Sequence, residues 1–310
     1  MSLALRFLGT SAARPTVERN VTSVAVVREG ETFLFDCGEG TQRQMMRYGV
    51  GFAADDLFFT HFHTDHLLGL VGLTRTLALQ GRTAPLRLWG PPGAQRALRQ
   101  AVQFGGDRLT FPVEIHERAP GEAVERADYR IEAVRVDHGG APAVGWALIE
   151  RPRLGRFDPE RARALGIPEG PLWGRIHKGE AITLDDGRTI APGELVGAPR
   201  RGRRLVISGD TRPTPEMVAA AEGADLLVHE ATFGDDEAPR ALETGHSTAR
   251  EAAEVARLAG AQRLVLTHFS ARYSRDPGDL VAQARTVFAA TEAARDGMEI
   301  ELPYEPAPAP

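Results

Sequence analysis

Hydrophobic positions along the chain fall into short runs with the composition of β-strands, separated by turns rich in glycine and proline. These runs predict strands over residues 3–8, 23–27, 32–35, 57–60, 86–89, 129–136, 144–149, 205–208, 226–229 and 264–267. Elsewhere apolar residues recur at helical spacing, which predicts helices over residues 67–80, 94–104, 248–259 and 280–294. The order of these elements favours an α+β fold in which two packed sheets carry helices on their outer faces.

One stretch departs from this pattern. Residues 151–203 are rich in arginine, glycine and proline, and they predict an arm that projects from a single domain spanning residues 1–310. Within the arm, residues 181–187 predict a small hairpin. The proline-rich tail at 303–310 is predicted to be disordered.

The charge of the chain is unevenly distributed. The formal net charge is −5, so the whole chain has no basic field that would indicate a nucleic-acid partner. Residues 150–204 nevertheless hold 12 lysines and arginines against 8 acidic residues, whereas the rest of the chain holds 25 against 34. A basic segment inside an acidic chain indicates either a contact for a polyanion or a solvated loop with scattered charge. The sequence leaves both interpretations open.

Cysteine content and hydropathy restrict the cellular context. Cys37 is the single cysteine, which excludes an intrachain disulfide, and its place in an apolar run before a glycine predicts a buried structural thiol. No stretch approaches the roughly 20 apolar residues of a membrane span. The first residues lack the layout of a signal peptide. We therefore expect a cytoplasmic protein without a membrane partner.

A dense group of metal-ligand residues follows the strand predicted at 57–60. His61, His63, Asp65 and His66 occupy four of six consecutive positions. Histidines at positions i and i+2 of an extended chain point to the same side. Packing rarely selects so many ligand-type residues together, and imidazole with some carboxylate is the ligand set that zinc favours. The group therefore predicts a hydrolase with two metal ions.

A two-metal site needs further ligands, and the ends of other predicted strands offer them. His138, Asp210 and His268 each follow a predicted strand directly or within two residues. Asp210 is the natural bridge, because a carboxylate can span two cations. A lone histidine after a strand is more often a surface or core residue, so these candidates depend on the dense group. Among the other histidines, His229 is predicted to be structural, and His116 and His177 are predicted to be exposed.

The motif Thr60-His61-Phe62-His63-Thr64-Asp65-His66 resembles the signature of the metallo-β-lactamase superfamily. Further segments resemble one of its families, ribonuclease Z, which removes 3′ trailers from tRNA precursors, in its short and dimeric bacterial form. These segments are Gly9-Thr10-Ser11, Pro15 to Asn20, Phe35-Asp36-Cys37-Gly38-Glu39, Ser208-Gly209-Asp210-Thr211, His229-Glu230-Ala231-Thr232, Gly245-His246-Ser247-Thr248 and Thr267-His268-Phe269-Ser270-Ala271-Arg272-Tyr273. Together they extend from near residue 3 to about residue 275.

The resemblance implies an αββα sandwich that binds two Zn²⁺ per chain. It assigns one zinc to His61, His63 and His138, the other to Asp65, His66 and His268, and the bridge to Asp210. It also implies a homodimer in which the arm of one subunit holds the elbow of the precursor tRNA that the other subunit cuts. The products would be a tRNA with a 3′-OH and a trailer with a 5′-phosphate.

The resemblance further implies roles for residues outside the ligand set. Asp65 would orient the attacking water, His246 would be the general acid, and Glu230 would orient the ring of His246. Without the resemblance, the sequence favours His246 as a residue at the entry of a helix, near the N-cap. The implied substrate contacts are Arg19, Asn20, Ser270 and Arg272.

The N-terminal loop departs from the family pattern. The family often reads Pro-x-Lys-x-Arg-Asn, whereas this chain reads Pro15-Thr16-Val17-Glu18-Arg19-Asn20. Val17 replaces the lysine, so the treatment of precursors that contain CCA at the tRNA 3′ end stays open.

Two other classes of function share some of these features. A phosphodiesterase of the same fold that acts on small cyclic or aryl phosphodiesters would need the same metal ligands, but it would not need a remote arm. A non-catalytic RNA-binding module of this fold would be expected to have lost ligands, and this chain has them all.

Overall fold

The computed structural model describes residues 2–104, 106 and 108–304. The chain divides into two units, a larger one that comprises Met1–Ile149 and Arg204–Pro310 and a smaller one that comprises Glu150–Arg203. The smaller unit begins one residue before the segment predicted as an arm and ends with it. Of the tail predicted at 303–310, residues 305–310 lie outside the described residues.

Sixteen strands are found in the described residues. In chain order they are β1 Leu3–Gly9, β2 Ser23–Arg28, β3 Glu31–Phe35, β4 Asp56–Phe58, β5 Leu86–Gly90, β6 Val113–Glu117, β7 Ala123–Glu125, β8 Tyr129–Arg135, β9 Val144–Glu150, β10 Ile182–Thr183, β11 Thr189–Ile190, β12 Arg204–Ile207, β13 Leu226–Glu230, β14 Leu264–Thr267, β15 Thr291–Ala293 and β16 Glu299–Glu301. Ten α-helices lie between them in the same part of the chain. They are α1 Thr41–Arg47, α2 Thr64–Leu67, α3 Gly69–Leu79, α4 Ala94–Gln103, α5 Pro159–Ala164, α6 Pro171–His177, α7 Pro215–Ala220, α8 Ala238–Thr244, α9 Ala249–Ala259 and α10 Gly278–Arg285.

The larger unit contains two mixed sheets of seven strands each. The first has the order β16-β1-β2-β3-β4-β5-β6 and is antiparallel from β16 to β3 and parallel from β3 to β6. The second has the order β15-β14-β13-β12-β9-β8-β7, in which β12 to β15 are parallel and β9 runs antiparallel to β12. The prediction of an α+β fold with two packed sheets is confirmed.

The alternation of side chains along each strand produces four layers. In β1, Leu3, Leu5 and Phe7 are buried in the apolar layer between the sheets, together with Trp146 of the second sheet. The opposite face of the first sheet packs against α1, α3 and α4, and that of the second packs against α7, α9 and α10. Because successive strand residues point to opposite faces, both faces of each sheet are covered by apolar side chains.

Helix α9 begins and ends where its sequence predicts. The hydroxyl of Thr248 accepts a hydrogen bond from the amide of Glu251, the carboxylate of Glu251 accepts one from the amide of Thr248, and Gly260 ends the helix at φ 61°. The helix predicted over residues 280–294 is wrong in its second half. It ends at Arg285, and Thr291–Ala293 form β15 beside β14. The edge of the second sheet pairs with this segment and buries Thr291, which overrides the local helical spacing.

The smaller unit has an apolar cluster of its own. Its buried members are Ala162, Ile167, Ile176, Ile182, Ile190 and Leu195. The hairpin predicted at 181–187 is present as β10 and β11, which pair with Ile182 opposite Ile190. Glu150 and Arg203, the first and last residues of the unit, form a buried ion pair. Their side chains are each 2% exposed, and Arg203 Nη2 lies 2.7 Å from Glu150 Oε1.

Replacing Arg203 by methionine is expected to destabilise the protein. The substitution removes the counter-charge of Arg203 from the buried carboxylate of Glu150, and loss of one partner of a buried pair costs about 3–5 kcal/mol. A lower urea midpoint would report this loss. The control is Arg175→Met, because the ion pair of Arg175 with Glu180 is 54% exposed on both sides and should contribute little. Equal midpoints for the two variants would contradict the expectation.

The structure bears on two earlier predictions, that Cys37 is a buried structural thiol and that the chain lacks a membrane span. Cys37 is fully buried, and burial raises the pKa of its thiol to about 12, so the thiol is in its unreactive protonated form at neutral pH. Among the described residues, no helix combines the length and the apolar composition needed to cross a membrane.

Candidate active site

The structure brings together the seven residues predicted as metal ligands. They come from separate segments that end at one edge of the two sheets. His61 and His63 lie in the loop after β4, and Asp65 and His66 lie in the short helix α2. The remaining three, which follow β8, β12 and β14, are His138, Asp210 and His268.

The first group of ligand atoms surrounds Nδ1 of His63. His61 Nε2 lies 3.0 Å from this atom and His138 Nε2 lies 3.3 Å from it. Oδ2 of Asp210 lies 3.6 Å from His61 Nε2 and 3.9 Å from His138 Nε2. Ligand nitrogens about 2.0–2.1 Å from a tetrahedral divalent metal lie about 3.3 Å from one another. The spacing therefore suits one metal ion among these four residues.

The second group has the same spacing. His66 Nε2 lies 3.3 Å from His268 Nε2, and Oδ2 of Asp65 lies 3.5 Å from the first nitrogen and 3.4 Å from the second. Asp210 is shared between the groups, because its Oδ1 lies 3.4 Å from His268 Nε2 while its Oδ2 lies near the first group. Oδ1 of Asp210 is buried and has no hydrogen-bond partner among the residues that the structure describes. A carboxylate in this position can bridge two cations.

Hydrogen bonds on the far side of the rings assign the tautomers of four histidines. Nδ1 of His66 donates to Asp36 Oδ2 at 2.8 Å, and Nδ1 of His138 donates to the carbonyl of Gly245 at 2.9 Å. Nδ1 of His61 donates to the hydroxyl of Thr60, which donates to Asp36 Oδ2. Nδ1 of His268 donates to the hydroxyl of Thr232, which donates to Glu230 Oε2.

Each of the four Nε2 atoms therefore directs a lone pair into the group. Facing lone pairs repel one another unless a cation lies between them, so this donor set fits metal ions. The cluster is consistent with a site for two metal ions.

Three residues other than glycine adopt left-handed backbone conformations beside the cluster. They are Ala13 at φ 60°, Asp36 at φ 58° and His268 at φ 59°. Such a conformation costs on the order of 1 kcal/mol per residue, so the surrounding fold must hold it in place. Each one positions a ligand. His268 is itself a predicted ligand, Asp36 holds His66, and the amide of Ala13 donates to Asp65 Oδ2 at 2.8 Å.

His246 lies beside the metal cluster and is held by Glu230. Nδ1 of His246 lies 2.8 Å from Glu230 Oε1 and 3.9 Å from Asp210 Oδ2. Glu230 is 1% exposed and also accepts hydrogen bonds from the amide of Thr211 and from the amide and hydroxyl of Thr232. Burial lowers the pKa of His246, but the charge of Glu230 and the hydrogen bond to it outweigh burial and raise the pKa to about 9.

The residues predicted to contact substrate differ in their surroundings. Arg19 is only 6% exposed, and its guanidinium donates to the hydroxyl of Thr10 and to the carbonyls of Ser274 and Ala294. The protein itself therefore engages this arginine. Asn20 and Ser270 are half-buried, and the Asn20 amide donates to the carbonyl of Glu39. Arg272 is exposed and forms an ion pair with Glu237.

Several features of the site are not evident in the sequence pattern. Asp36, Thr60 and Thr232 orient ligand histidines, yet they are isolated polar residues at strand ends. His229 is buried within β13, as expected of a structural residue. The other two histidines are more enclosed than predicted. His116 stacks on Trp89 at 4.3 Å between ring centroids, and Nε2 of His177 lies 3.0 Å from the carbonyl of Gly155.

Replacing Asp36 by asparagine is expected to weaken metal binding by about 10–100-fold, which is the usual cost of losing the outer partner of a ligand histidine. The new carboxamide could present its NH₂ group to His66 and would then disfavour the tautomer that directs Nε2 at the metal. A competition titration against a chelator measures the change. Asp55→Asn is the control, since the Asp55 carboxylate is 54% exposed and pairs with Arg82. Unchanged affinity in Asp36→Asn would contradict this expectation.

Comparison with known proteins identifies the family. The β-lactamase superfamily domain matches residues 31–157 and 177–269. Ribonuclease Z of Gemmatimonas aurantiaca is 64% identical over 97% of this chain and 96% of its own length. Ribonuclease Z of Myxococcus xanthus is 58% identical over 97% of this chain and 98% of its own length. The chain belongs to the ribonuclease Z family.

A solved structure of the family agrees with this assignment. The short form of human tRNase Z superposes with a TM-score of 0.70 at 28% identity, covering 97% of this chain and 99% of that one. The family assignment confirms the predicted class of activity, a hydrolase that acts as an endonuclease in tRNA 3′ processing. It also confirms the αββα fold of the superfamily, whose typical two-metal site the histidine and aspartate cluster matches.

Proposed function

We propose that this ribonuclease Z uses two zinc ions to cleave the 3′ trailer from precursor tRNA, leaving a 3′-OH on the tRNA and a 5′-phosphate on the trailer. The observation that carries the proposal is the position of His246 and Glu230 beside two groups of metal-ligand atoms joined by Asp210. Hydrolysis of an RNA phosphodiester needs a nucleophile on one side of phosphorus and a proton for the leaving oxygen on the other. The site offers a source of each.

Zinc is proposed because the ligand set consists of imidazole nitrogens and carboxylates at tetrahedral spacing. One zinc would bind His61, His63 and His138, the other would bind Asp65, His66 and His268, and Asp210 would join them. When bound, such a pair supplies Lewis acidity towards a phosphate oxygen and a water molecule that ionises near neutral pH.

The protein's own groups would direct the reaction. Asp65 is fixed by the amide of Ala13, and its carboxylate can accept a hydrogen bond from the attacking water and aim it. His246 would donate a proton to the 3′ oxygen as that oxygen leaves. The charge of Glu230 would keep His246 in its imidazolium form at neutral pH. Glu230 would also fix the orientation of the ring, because its carboxylate is held by three hydrogen bonds from Thr211 and Thr232.

The RNA would lie along the segments that flank the metal cluster. We propose that Asn20, Ser270 and Arg272 contact it directly. Arg19 instead would hold the N-terminal loop in place from within the protein, since it bonds to three partners there. The loop presents Val17 with 99% of its surface exposed, in the position where the family often has lysine. An apolar side chain there offers no charge to the tRNA 3′ end.

The smaller unit, Glu150–Arg203, is proposed to act as the arm that binds tRNA away from the cleavage site. Its excess of positive charge supports a contact with phosphates. A homodimer is proposed with it, so that the arm of one subunit serves the site of the other. Two exposed apolar side chains, on helices α1 and α3, would be available to a partner subunit. Met46 is 62% exposed and Leu79 is 88% exposed, and the two helices are joined by a bond from Thr76 to Gln42.

Removing the arm is expected to separate precursor tRNA processing from phosphodiester hydrolysis. Ile149 pairs with Arg204 across antiparallel strands, so an Asn-Gly turn can replace residues 151–202 and leave Glu150 and Arg203 in place. We expect the shortened protein to lose processing of precursor tRNA and to retain cleavage of bis(4-nitrophenyl) phosphate, because the metal site lies wholly in the larger unit. Both rates are measured on the same preparation.

This experiment also tests the alternative function, hydrolysis of small phosphodiesters. A full-length protein that cleaves the small substrate well but does not process precursor tRNA would favour that alternative. A shortened protein that still processes precursor tRNA at the full-length rate would contradict the role proposed for the arm.

A further inference from the structure

Arg212 connects the metal cluster to the residue proposed as the general acid. It lies two residues after Asp210, and its guanidinium extends to the segment that carries His246. Nη1 of Arg212 donates to the backbone carbonyl of His246 at 2.5 Å and to Glu251 Oε2 at 2.8 Å. Nη2 donates to the other oxygen of Glu251. A single planar group thus holds the backbone of His246 and the first turn of α9 together.

The backbone of Arg212 is also anchored on the cluster side. Its amide donates to the carbonyl of Asp137 at 2.7 Å, directly before the ligand His138. The preceding residue, Thr211, donates its amide to Glu230 Oε1 and accepts a bond from the hydroxyl of Ser247 at its carbonyl. Residues 210–212 therefore join three parts of the site that are distant in sequence.

Other contacts hold the residues on either side of the His246 carbonyl, since Gly245 accepts a hydrogen bond from His138 Nδ1 and Ser247 donates one to the carbonyl of Thr211. Gly245 ends α8 at φ 72°, and a Cβ atom there would come within 2.6 Å of the amide nitrogen of Gly139. The amide of His246 donates to the carbonyl of Ala241, and its ring contacts Glu230. The carbonyl of His246 is held by Arg212. Without that bond, the carbonyl of His246 would lose the contact that sets its direction, and the adjoining ring could shift within its remaining contacts.

We infer that Arg212 is a positioning residue that sets the place of the His246 ring relative to the metal-ligand atoms, through the His246 carbonyl and the carboxylate of Glu251. This inference rests on the proposed role of His246 as general acid. Displacement of a reacting group by about 1 Å can cost about 10²-fold in rate. Arg212 contacts neither substrate nor the reacting atoms in this account. Its loss should therefore affect only the step that needs the proton of His246.

The test compares two substrates with different needs for an acid. A precursor tRNA with a 3′ trailer releases a ribose 3′ oxygen, which needs a proton, whereas bis(4-nitrophenyl) phosphate releases a phenolate that leaves without one. We expect Arg212→Met to lower the single-turnover cleavage of the tRNA precursor by about 10²-fold. Cleavage of the aryl substrate and the metal content should stay near the values of the unmodified protein.

Two further variants make the test specific. In the double variant Arg212→Met with His246→Ala, tRNA cleavage should fall no further than in His246→Ala alone, because both changes remove the same proton transfer. Arg212→Lys should cleave the tRNA precursor at a rate between those of the unmodified protein and Arg212→Met. Lysine keeps the positive charge but cannot make the bidentate hydrogen bonds of a guanidinium. If Arg212→Met does not fold, cleavage of the two substrates is compared in Arg212→Lys and Glu251→Gln instead.

Arg250→Met is the matched control. Arg250 lies in α9 next to Glu251 and also pairs with a carboxylate, that of Asp235, but none of its contacts involves His246. Parallel loss on both substrates, additive loss in the double variant, or full tRNA cleavage by Arg212→Met would each overturn the inference. A failure of the proposed function has a different signature, because the unmodified protein would then not cut the precursor, or His246→Ala would cut it normally.

Discussion

Replacing His246 by alanine is expected to reduce cleavage of precursor tRNA by about 10²–10⁴-fold, the range that a positioned general acid contributes. The leaving ribose oxygen would then have to depart without a proton from the protein. Metal binding should persist at two ions per chain, because His246 is not among the residues proposed to hold either ion. Single-turnover cleavage and elemental analysis of the same preparation measure the two quantities.

Two comparisons make this result interpretable. Cleavage of bis(4-nitrophenyl) phosphate by His246→Ala should be nearly unchanged, since its phenolate needs no acid. His116→Ala is the control variant, because His116 stacks on Trp89 in the first sheet and has no contact with the cluster. Undiminished tRNA cleavage by His246→Ala would remove this residue from the mechanism. Loss of metal together with activity would assign it a structural role.

Asp210→Asn is expected to abolish activity by a different route. Both oxygens of Asp210 lie within 3.4–3.9 Å of ligand nitrogens, and they join the two groups. An amide keeps the shape but loses the negative charge and one acceptor oxygen, so neither ion would retain its shared ligand. We expect metal affinity to fall by more than the roughly 100-fold upper cost of losing an outer hydrogen bond. Cleavage of both tRNA and aryl substrates should fall together.

Asp225→Asn is the control for this loss. Asp225 is 7% exposed, lies between β12 and β13 and accepts a bond from the amide of Arg204, away from the metal ligands. This variant tests whether replacing any buried aspartate next to the second sheet would cause the same loss. Retention of two ions per chain and of activity by Asp210→Asn would contradict the bridging role.

The parts of the fold that could be predicted from sequence are those set by short-range patterns. The strand before His61 and the strands before His138, Asp210 and His268 are apolar runs whose ends are marked by polar ligand residues. The dense motif at 61–66 made the metal site visible, because local spacing decides which way its side chains point.

Other features depend on contacts that are distant in sequence. Asp36 binds His66 across 30 positions, and Arg212 binds the carbonyl of His246 across 34 positions. Arg19, predicted as a substrate contact, also donates to the carbonyls of Ser274 and Ala294, which are far from it in sequence. The second half of the helix predicted over 280–294 was wrong because of such a contact. Its local spacing is helical, and pairing with the edge of the second sheet outweighs it.

The central claim is tested most directly by incubating the zinc-loaded protein with a precursor tRNA that carries a 3′ trailer, and by mapping the cut with and without a chelator. We expect one cut at the junction of tRNA and trailer, with a 3′-OH on the tRNA and a 5′-phosphate on the trailer. Cleavage should stop when the chelator removes the metal. An intact precursor under conditions where bis(4-nitrophenyl) phosphate is hydrolysed would contradict the account, as would the same cut after complete removal of metal.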